Sequence, residues 1–345
     1  MQPICHLNLA PGYRGGERQT ELLIRELAAR GTPQRLVARR GGPLAEHCGD
    51  VEGLEIREVA PNPVAAGMAV RGSAVAHSHE GRTVYSGLLA NSLFGTGYVI
   101  TRRVVAPQSP SWVRSLAYRR AAKIAAVSRA AAETLQVRHP ELDPVVVPDA
   151  HASFDVDTDA VARIRAARSG KTLIGHVGAY DHSHKGQSTL IDAARIAADR
   201  FPDWHFLLCG EGKDEERFRA EIGGLQNIEL VGWVENVGDW LAAFDLFVYP
   251  SLHEALGSSL LDAMGLGLPI VASNVGGIPE FVEDGVNGRL IKPADARLLA
   301  EAIAEVLERA DDALRDANRA EAAKHGAATM ANAYETLYRE IAAGM

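Results

Sequence analysis

Cysteine is scarce in this chain of 345 residues: Cys5, Cys48 and Cys209 stand far apart, which excludes a disulfide framework or a zinc cluster. A reducing compartment is implied. Long apolar runs are missing as well, since no window approaches the roughly 20 apolar residues that a spanning helix needs. The first residues, Met1 to His6, show no basic leader ahead of an apolar stretch. A cytoplasmic protein is therefore expected. No internal repeat occurs, and the turn holding Gly12, Gly15 and Gly16 lacks the G-x-G-x-x-G spacing of a dinucleotide site. One stretch lacks acid: seven basic residues and no Asp or Glu occur from Arg102 to Arg129.

What remains is the composition of a globular enzyme, 47% hydrophobic and 23% charged. The length predicts two domains. Charge divides unevenly, with 18 Lys and Arg against 13 Asp and Glu in residues 1–150, and 18 against 31 thereafter. An overall charge of −8, with no recognised binding motif, argues against nucleic acid as a partner. The basic stretch allows two readings: a solvated helix face, or a surface meeting an anionic acceptor or membrane leaflet.

Short β-branched runs alternate with longer amphipathic stretches, which predicts parallel α/β architecture. Strands are expected at Ile4–Leu9, Arg35–Ala38, Glu55–Val59, Ala74–His77, Tyr98–Thr101, Ile124–Val127 and Val145–Val147. The rhythm restarts with Thr172–Val177, His205–Cys209, Ile228–Val231, Leu246–Tyr249 and Pro269–Ala272. Helices fill the gaps, and residues 295–343 read as terminal helices. The seam falls within His151–Ser169. Two Rossmann-like units facing a cleft follow, an arrangement whose strand C-termini bind nucleotides.

The densest chemistry lies between Pro250 and Ala272. A strand ends in Tyr249-Pro250, a loop carries Glu254, and Gly257-Ser258-Ser259 opens a helix whose free N–H groups suit a diphosphate. Asp262 follows Glu254 at a span of at most about 12 Å. Two carboxylates bracketing a phosphate site suit a donor with hydroxyls at both ends. The residues alone equally allow an N-capped core helix with two incidental acids. Upstream, Gly178-Ala-Tyr-Asp-His-Ser-His-Lys-Gly186 joins a strand to a helix. Its cluster Asp181, His182 and His184 sits on one short loop without convergent ligands from elsewhere, so no metal is expected there. His79, in Ala76-His-Ser-His-Glu-Gly81, ends another strand.

Glu254, seven residues and Asp262, then Ala-Met-x-x-Gly-x-Pro-Ile-Val-Ala and Val275-Gly-Gly-Ile-Pro-Glu280, closely resemble the donor signature of glycosyltransferase family 4. The similarity is strong from Thr172 to Ile291 and weaker upstream. It implies the GT-B fold, retaining chemistry and a nucleotide-sugar donor. Catalytic positions implied by it are His79, facing the donor sugar with His77 packed beneath it, Lys185 on the donor phosphates, and Glu254 on the sugar. Donor contacts extend to Gly15, Gly16, Leu256, Gly257, Ser258, Ser259 and Asp262, with the nucleobase near Val231 and Trp233. Two departures stand out: Ala179 replaces an arginine of the family, and Asp262 replaces its second glutamate.

The implied domains are an acceptor-side unit at 1–155, a donor-binding unit at 156–325, and a last helix at 326–345 returning to the first. Arg102 and Arg103 are expected to hold an acidic acceptor. The reaction implied is same-face transfer from a nucleotide-diphosphate sugar to a glycan or glycolipid of the cell envelope, such as lipopolysaccharide. No metal or other cofactor is required, and the inner leaflet is the expected peripheral contact. Rival readings are a sugar-nucleotide 2-epimerase on the same fold and a silent glycan-binding relative.

Overall fold

The computed structural model describes residues 2–105 and 111–344. Two compact units divide the chain: Met1–Ala150 with His325–Met345, and His151–Lys324. The first boundary lies ahead of the expected one at residue 155.

In the first unit the chain runs β1 (Ile4–Asn8), α1 (Gly15–Ala29), β2 (Gln34–Arg39), α2 (Pro43–His47), β3 (Leu54–Val59), α3 (Pro63–Ala69) and β4 (Val75–Ser78). It continues through α4 (Val84–Phe94), β5 (Gly97–Arg102), α5 (Trp112–Arg120), β6 (Lys123–Ala126), α6 (Arg129–Arg138) and β7 (Val145–Val146). The strands pair in parallel in the order β3-β2-β1-β4-β5-β6-β7. Parallel pairing needs a crossover, and the helices supply it. Helix α1 forms because Thr20, Leu23, Ile24 and Leu27 recur on one face, and that face is buried. Ser111 and Ser128 cap α5 and α6 by accepting the amides of Arg114 and Ala131. Helices α2 and α3 were not expected, being too short to show a period. Their signals were a proline near each start, and for α3 the Asn62 cap.

The second unit holds α7 (Thr158–Ala166), β8 (Thr172–Val177), α8 (Gln187–Ala197), β9 (Trp204–Cys209), α9 (Glu215–Ile222), β10 (Ile228–Gly232) and α10 (Val237–Ala243). Then come β11 (Leu246–Tyr249), α11 (Ser258–Gly265), β12 (Ile270–Ser273), β13 (Arg289–Ile291), α12 (Ala296–Arg309) and α13 (Asp312–Ala323). Its parallel sheet runs β10-β9-β8-β11-β12-β13. Helix α7 occupies the stretch read as a seam. Asp157 caps it through the amides of Asp159 and Ala160, but none of its residues is buried, so no apolar stripe announced it.

The last helix, α14 (Ala327–Ala343), belongs to the first unit. Its Met330, Tyr334, Leu337, Tyr338 and Ile341 join Leu23, Leu27, Val75 and Val99 in one buried cluster. Arg30, which caps the C-terminus of α1, fixes its register by donating to Asn332 at 2.6 Å and Glu335 at 3.1 Å. Leu337→Ala should therefore destabilise the first unit by about 2–5 kcal/mol, the usual result of emptying a leucine site in a core. A urea titration monitored by tryptophan fluorescence and circular dichroism checks this; an unchanged midpoint would show that α14 docks without contributing to the core.

Candidate functional site

Strand β8 is flanked by β9 on one side and β11 on the other, so the direction of winding reverses there. In open parallel sheets, ligands bind outside the strand C-termini at such a point. Two loops meet at that position, 178–186 after β8 and 250–257 after β11, and the amide of Leu252 donates to the carbonyl of His184 at 2.7 Å. Glycine makes the approach possible. At Gly186 (φ +70°) a Cβ would lie 1.9 Å from the Pro250 carbonyl oxygen. At Gly276 (φ +53°) it would lie 1.7 Å from the carbonyl oxygen of Glu254. The Val-Gly-Gly run is thus the backrest of the Glu254 loop.

Between these loops Lys185 Nζ donates to Glu254 Oε2 at 2.6 Å and to the Tyr249 hydroxyl at 3.0 Å. The same hydroxyl donates to Glu254 Oε2 at 2.7 Å. Burial pulls the Glu254 carboxyl upward, but the Lys185 charge and the hydrogen bonds outweigh it and hold it below the usual range. Burial likewise opposes the Lys185 ammonium, and Tyr249 and Glu254 together raise it. Tyr249, shielded from water and facing the carboxylate, is pushed up to about 12. Sequence reasoning missed Tyr249 as a functional group. Its signal was available: a tyrosine in the last position of a buried strand must place its hydroxyl against a partner.

Next to this triad stands the head of α11. Leu256 is buried, Gly257 is left-handed at φ +99°, and the first amides with intrahelical partners are those of Leu260 and Leu261. The amides of Ser258 and Ser259 therefore lead the helix. Ser259 Oγ is turned back, donating to the Val177 carbonyl at 3.1 Å. Val231 is half-buried at the end of β10, and Trp233 just beyond it is 63% exposed. Asp262 departs from expectation. Its side chain is buried and its Oδ1 accepts the Ala152 amide at 2.7 Å, so it fastens α11 to the chain entering the unit. Being one methylene shorter than glutamate, this carboxylate stays at backbone depth. In the neighbouring loop His182 turns to Asp214 at 3.0 Å, while His184 Nδ1 meets Ser183.

The first unit has its own reversal, between β1 and β4. His6 and His77 face each other in register there, and His79 lies two residues on, on the same side. All three are buried. His77 lies beneath His79 with ring centroids 3.6 Å apart, and is held by the Tyr338 and Thr101 hydroxyls, each at 2.6 Å. His79 Nε2 meets His6 Nδ1 at 3.0 Å. Gly15 and Gly16 open α1, with Gly16 against the Arg103 side chain, where a Cβ would come to 3.9 Å. Gly12 and Gly16 do not adopt the positive φ that a tight glycine turn would need.

Arg102 and Arg103 do not form the expected surface. Arg102 is the last residue of β5 and is 7% exposed. Arg103 pairs with Asp149 at 3.0 Å and donates from Nη1 to the carbonyl of His79 at 3.0 Å. Other members of the basic stretch meet acids from distant sequence, Arg119 with Glu141 and Lys123 with Glu340. A run without local acid was balanced by the fold. Neither arginine lies on an exposed basic surface: Arg102 is buried and Arg103 takes part in a buried pair with Asp149.

Comparison with known proteins bears on the second unit first. Residues 171–309 match the family profile described as "Glycosyl transferases group 1". The second unit carries a glycosyltransferase group 1 domain. A phosphatidyl-myo-inositol mannosyltransferase of Mycobacterium leprae is 35% identical over 153 residues, 43% of this chain and 40% of that relative. An alpha-maltose-1-phosphate synthase of Mycolicibacterium smegmatis is 30% identical over 251 residues, 63% and 64% of the two chains. The chain thus matches less than two thirds of the length of these relatives. Among solved structures, Anabaena HepE in complex with UDP and glucose superposes with a TM-score of 0.85 at 20% identity, covering 98% of this chain and 99% of that one. The fold is GT-B.

Within the group 1 domain, Lys185→Met would leave Glu254 buried without its cation. The wild-type carboxyl is depressed, so its stabilising contribution is present above the unfolded carboxyl value and is lost as pH falls through the folded one. In the variant burial is opposed only by the hydrogen bonds from Tyr249 and the Ala255 backbone, and the penalty grows as pH rises. The melting-temperature gap between wild type and variant should therefore widen from about pH 4 to about pH 7. Lysine stays protonated throughout and adds no slope. In the first unit, Arg103→Ser would strand the Asp149 carboxylate and should cost about 3–5 kcal/mol. Scanning fluorimetry checks both; a flat gap, or an unshifted Arg103→Ser melt, would show that these pairs carry no stability.

Proposed function

We propose that the chain is a retaining glycosyltransferase using a nucleotide-diphosphate sugar. The observation that carries this reading is the Lys185–Glu254–Tyr249 triad at the β8/β11 strand ends, beside the head of α11 and inside the group 1 domain. Diphosphate oxygens draw the Lys185 ammonium away from Glu254, and the carboxylate then accepts from sugar hydroxyls. The bond from the anomeric carbon to the phosphate oxygen breaks, and Lys185 with the Ser258 and Ser259 amides takes up the developing charge. The acceptor hydroxyl attacks the same face, and its proton passes to the departing phosphate. These positive groups do the work for which other transferases use a metal, so no metal is assigned.

The acceptor is read as a glycan or glycolipid of the cell envelope, in keeping with the lipid-linked inositol named for the mycobacterial mannosyltransferase. No described helix is long and apolar enough to cross a membrane. A cytoplasmic site of action with peripheral inner-leaflet contact is supported by α5, where Trp112 is 79% and Leu116 37% exposed beside the exposed Arg119 and Arg120.

A panel of nucleotide-sugars screened by thermal shift, followed by mass spectrometry of donor consumption with and without acceptor glycans, tests the reading. Acceptor-dependent consumption is expected; epimerised donor without acceptor would overturn it. Lys185→Met should lower kcat by about 10²–10³, the usual loss for one electrostatic contact to a leaving group. Near-wild-type turnover would remove Lys185 from that role.

A further inference from the structure

The histidines of the first unit form a directed chain. Gln34 opens β2, and its Nε2 donates to the Ile24 carbonyl of α1 at 3.0 Å. A carbonyl accepts only, so the Gln34 amide is fixed with Oε1 turned the other way. That oxygen meets His6 Nε2 at 3.0 Å. Oε1 also accepts only, so His6 Nε2 must carry the hydrogen. Burial lowers His6 to about 4 and keeps it neutral, which leaves Nδ1 as a bare acceptor. His79 Nε2, 3.0 Å from that Nδ1, must therefore be the donor. His79 is also neutral, because burial first, and then the nearby Arg103 charge, disfavour a second proton. Its Nδ1 is left as a lone pair.

That lone pair is buried and has no partner. Arg103 Nη2, on the guanidinium whose Nη1 holds the carbonyl of the same His79, is also buried without one. An orphaned acceptor on His79 and an orphaned donor on the guanidinium that binds the His79 carbonyl are the two complements of a hydroxyl, which donates and accepts at once. A metal ion fits less well, because both nitrogens of His77 are engaged and a guanidinium stands beside the cluster.

We propose that Gln34 and His6 are positioning residues that hold His79 in its Nε2–H tautomer, so that Nδ1 presents a lone pair to a hydroxyl of the sugar substrate. The hydroxyl part rests on the transferase reading given above; the tautomer part does not. The device begins at a helix carbonyl, that of Ile24, and ends at a strand terminus. Its intermediate groups, Gln34 and His6, are both buried.

Long-range proton–nitrogen correlation spectra of the full chain, labelled with ¹⁵N-histidine, read the tautomer directly. Wild-type His79 should show a protonated Nε2 and a pyridine-like Nδ1. In Gln34→Met, of similar shape but without the amide, His6 is released to donate from Nδ1, and a Nδ1–H population should appear at His79. A protonated Nδ1 in the wild type, or an unchanged His79 pattern in a folded Gln34→Met, overturns the relay whether or not the chain transfers sugar. With the donor identified in the panel, Gln34→Met should lower kcat about three- to tenfold, the worth of one hydrogen bond. A shifted tautomer with unchanged kcat overturns the hydroxyl role, and a wild type with the expected tautomer but no donor consumption overturns the transferase reading instead.

Discussion

The buried pair between Lys185 and Glu254 is the constraint around which the second unit is arranged. Neither group is stable at that depth alone, because removing a charge from water costs more than a single contact returns. Tyr249 completes the set by bonding both, so Oε2 of the carboxylate accepts from two groups and the ammonium is held in one place. Two loops from adjacent strands must close for this to happen. The glycines at 186 and 276 are positions where backbone meets backbone, and a Cβ there would collide with the carbonyl oxygen of Pro250 or of Glu254.

A similar economy governs the first unit. Its buried parallel strands should read as continuous apolar runs, yet β1 carries His6 and Asn8 and β4 carries His77. Each of these polar side chains finds a partner on a neighbouring element: Gln34, Thr20, and the Tyr338 hydroxyl of α14. The last helix is therefore required by the polar interior as well as by the apolar cluster it closes. Arg103 with Asp149 applies the same rule to charge.

How much was legible follows from which forces act locally. The strands other than β13 and the longer helices were readable because burial on parallel sheets leaves a period in the sequence, and β13, three residues long, is too short to show one. The directions of Asp262 and Arg103 were not. Asp262 turns toward Ala152 and Arg103 toward Asp149, partners distant in the chain that no local pattern announces. The basic stretch misled for the same reason, since Glu141 and Glu340 reach it only through the fold. Helix α7 escaped because it buries nothing and so has no apolar stripe.

The departures at Ala179 and Asp262 act in one direction on the proposed chemistry. Losing the arginine leaves Lys185 as the cation of that loop's motif, and Glu254 holds it at 2.6 Å. A diphosphate can take the ammonium only if the carboxylate finds other donors, because a buried unpaired Glu254 is costly. Sugar hydroxyls are such donors. Phosphate and sugar contacts therefore support each other: the diphosphate frees Glu254 for the sugar, and the sugar makes release of Lys185 tolerable. A second cation would loosen this coupling by binding phosphate independently. In the proposed reaction, with one Asp262 oxygen bonded to the backbone, the Lys185–Glu254 exchange would link recognition of the sugar to the charge that develops on the leaving phosphate.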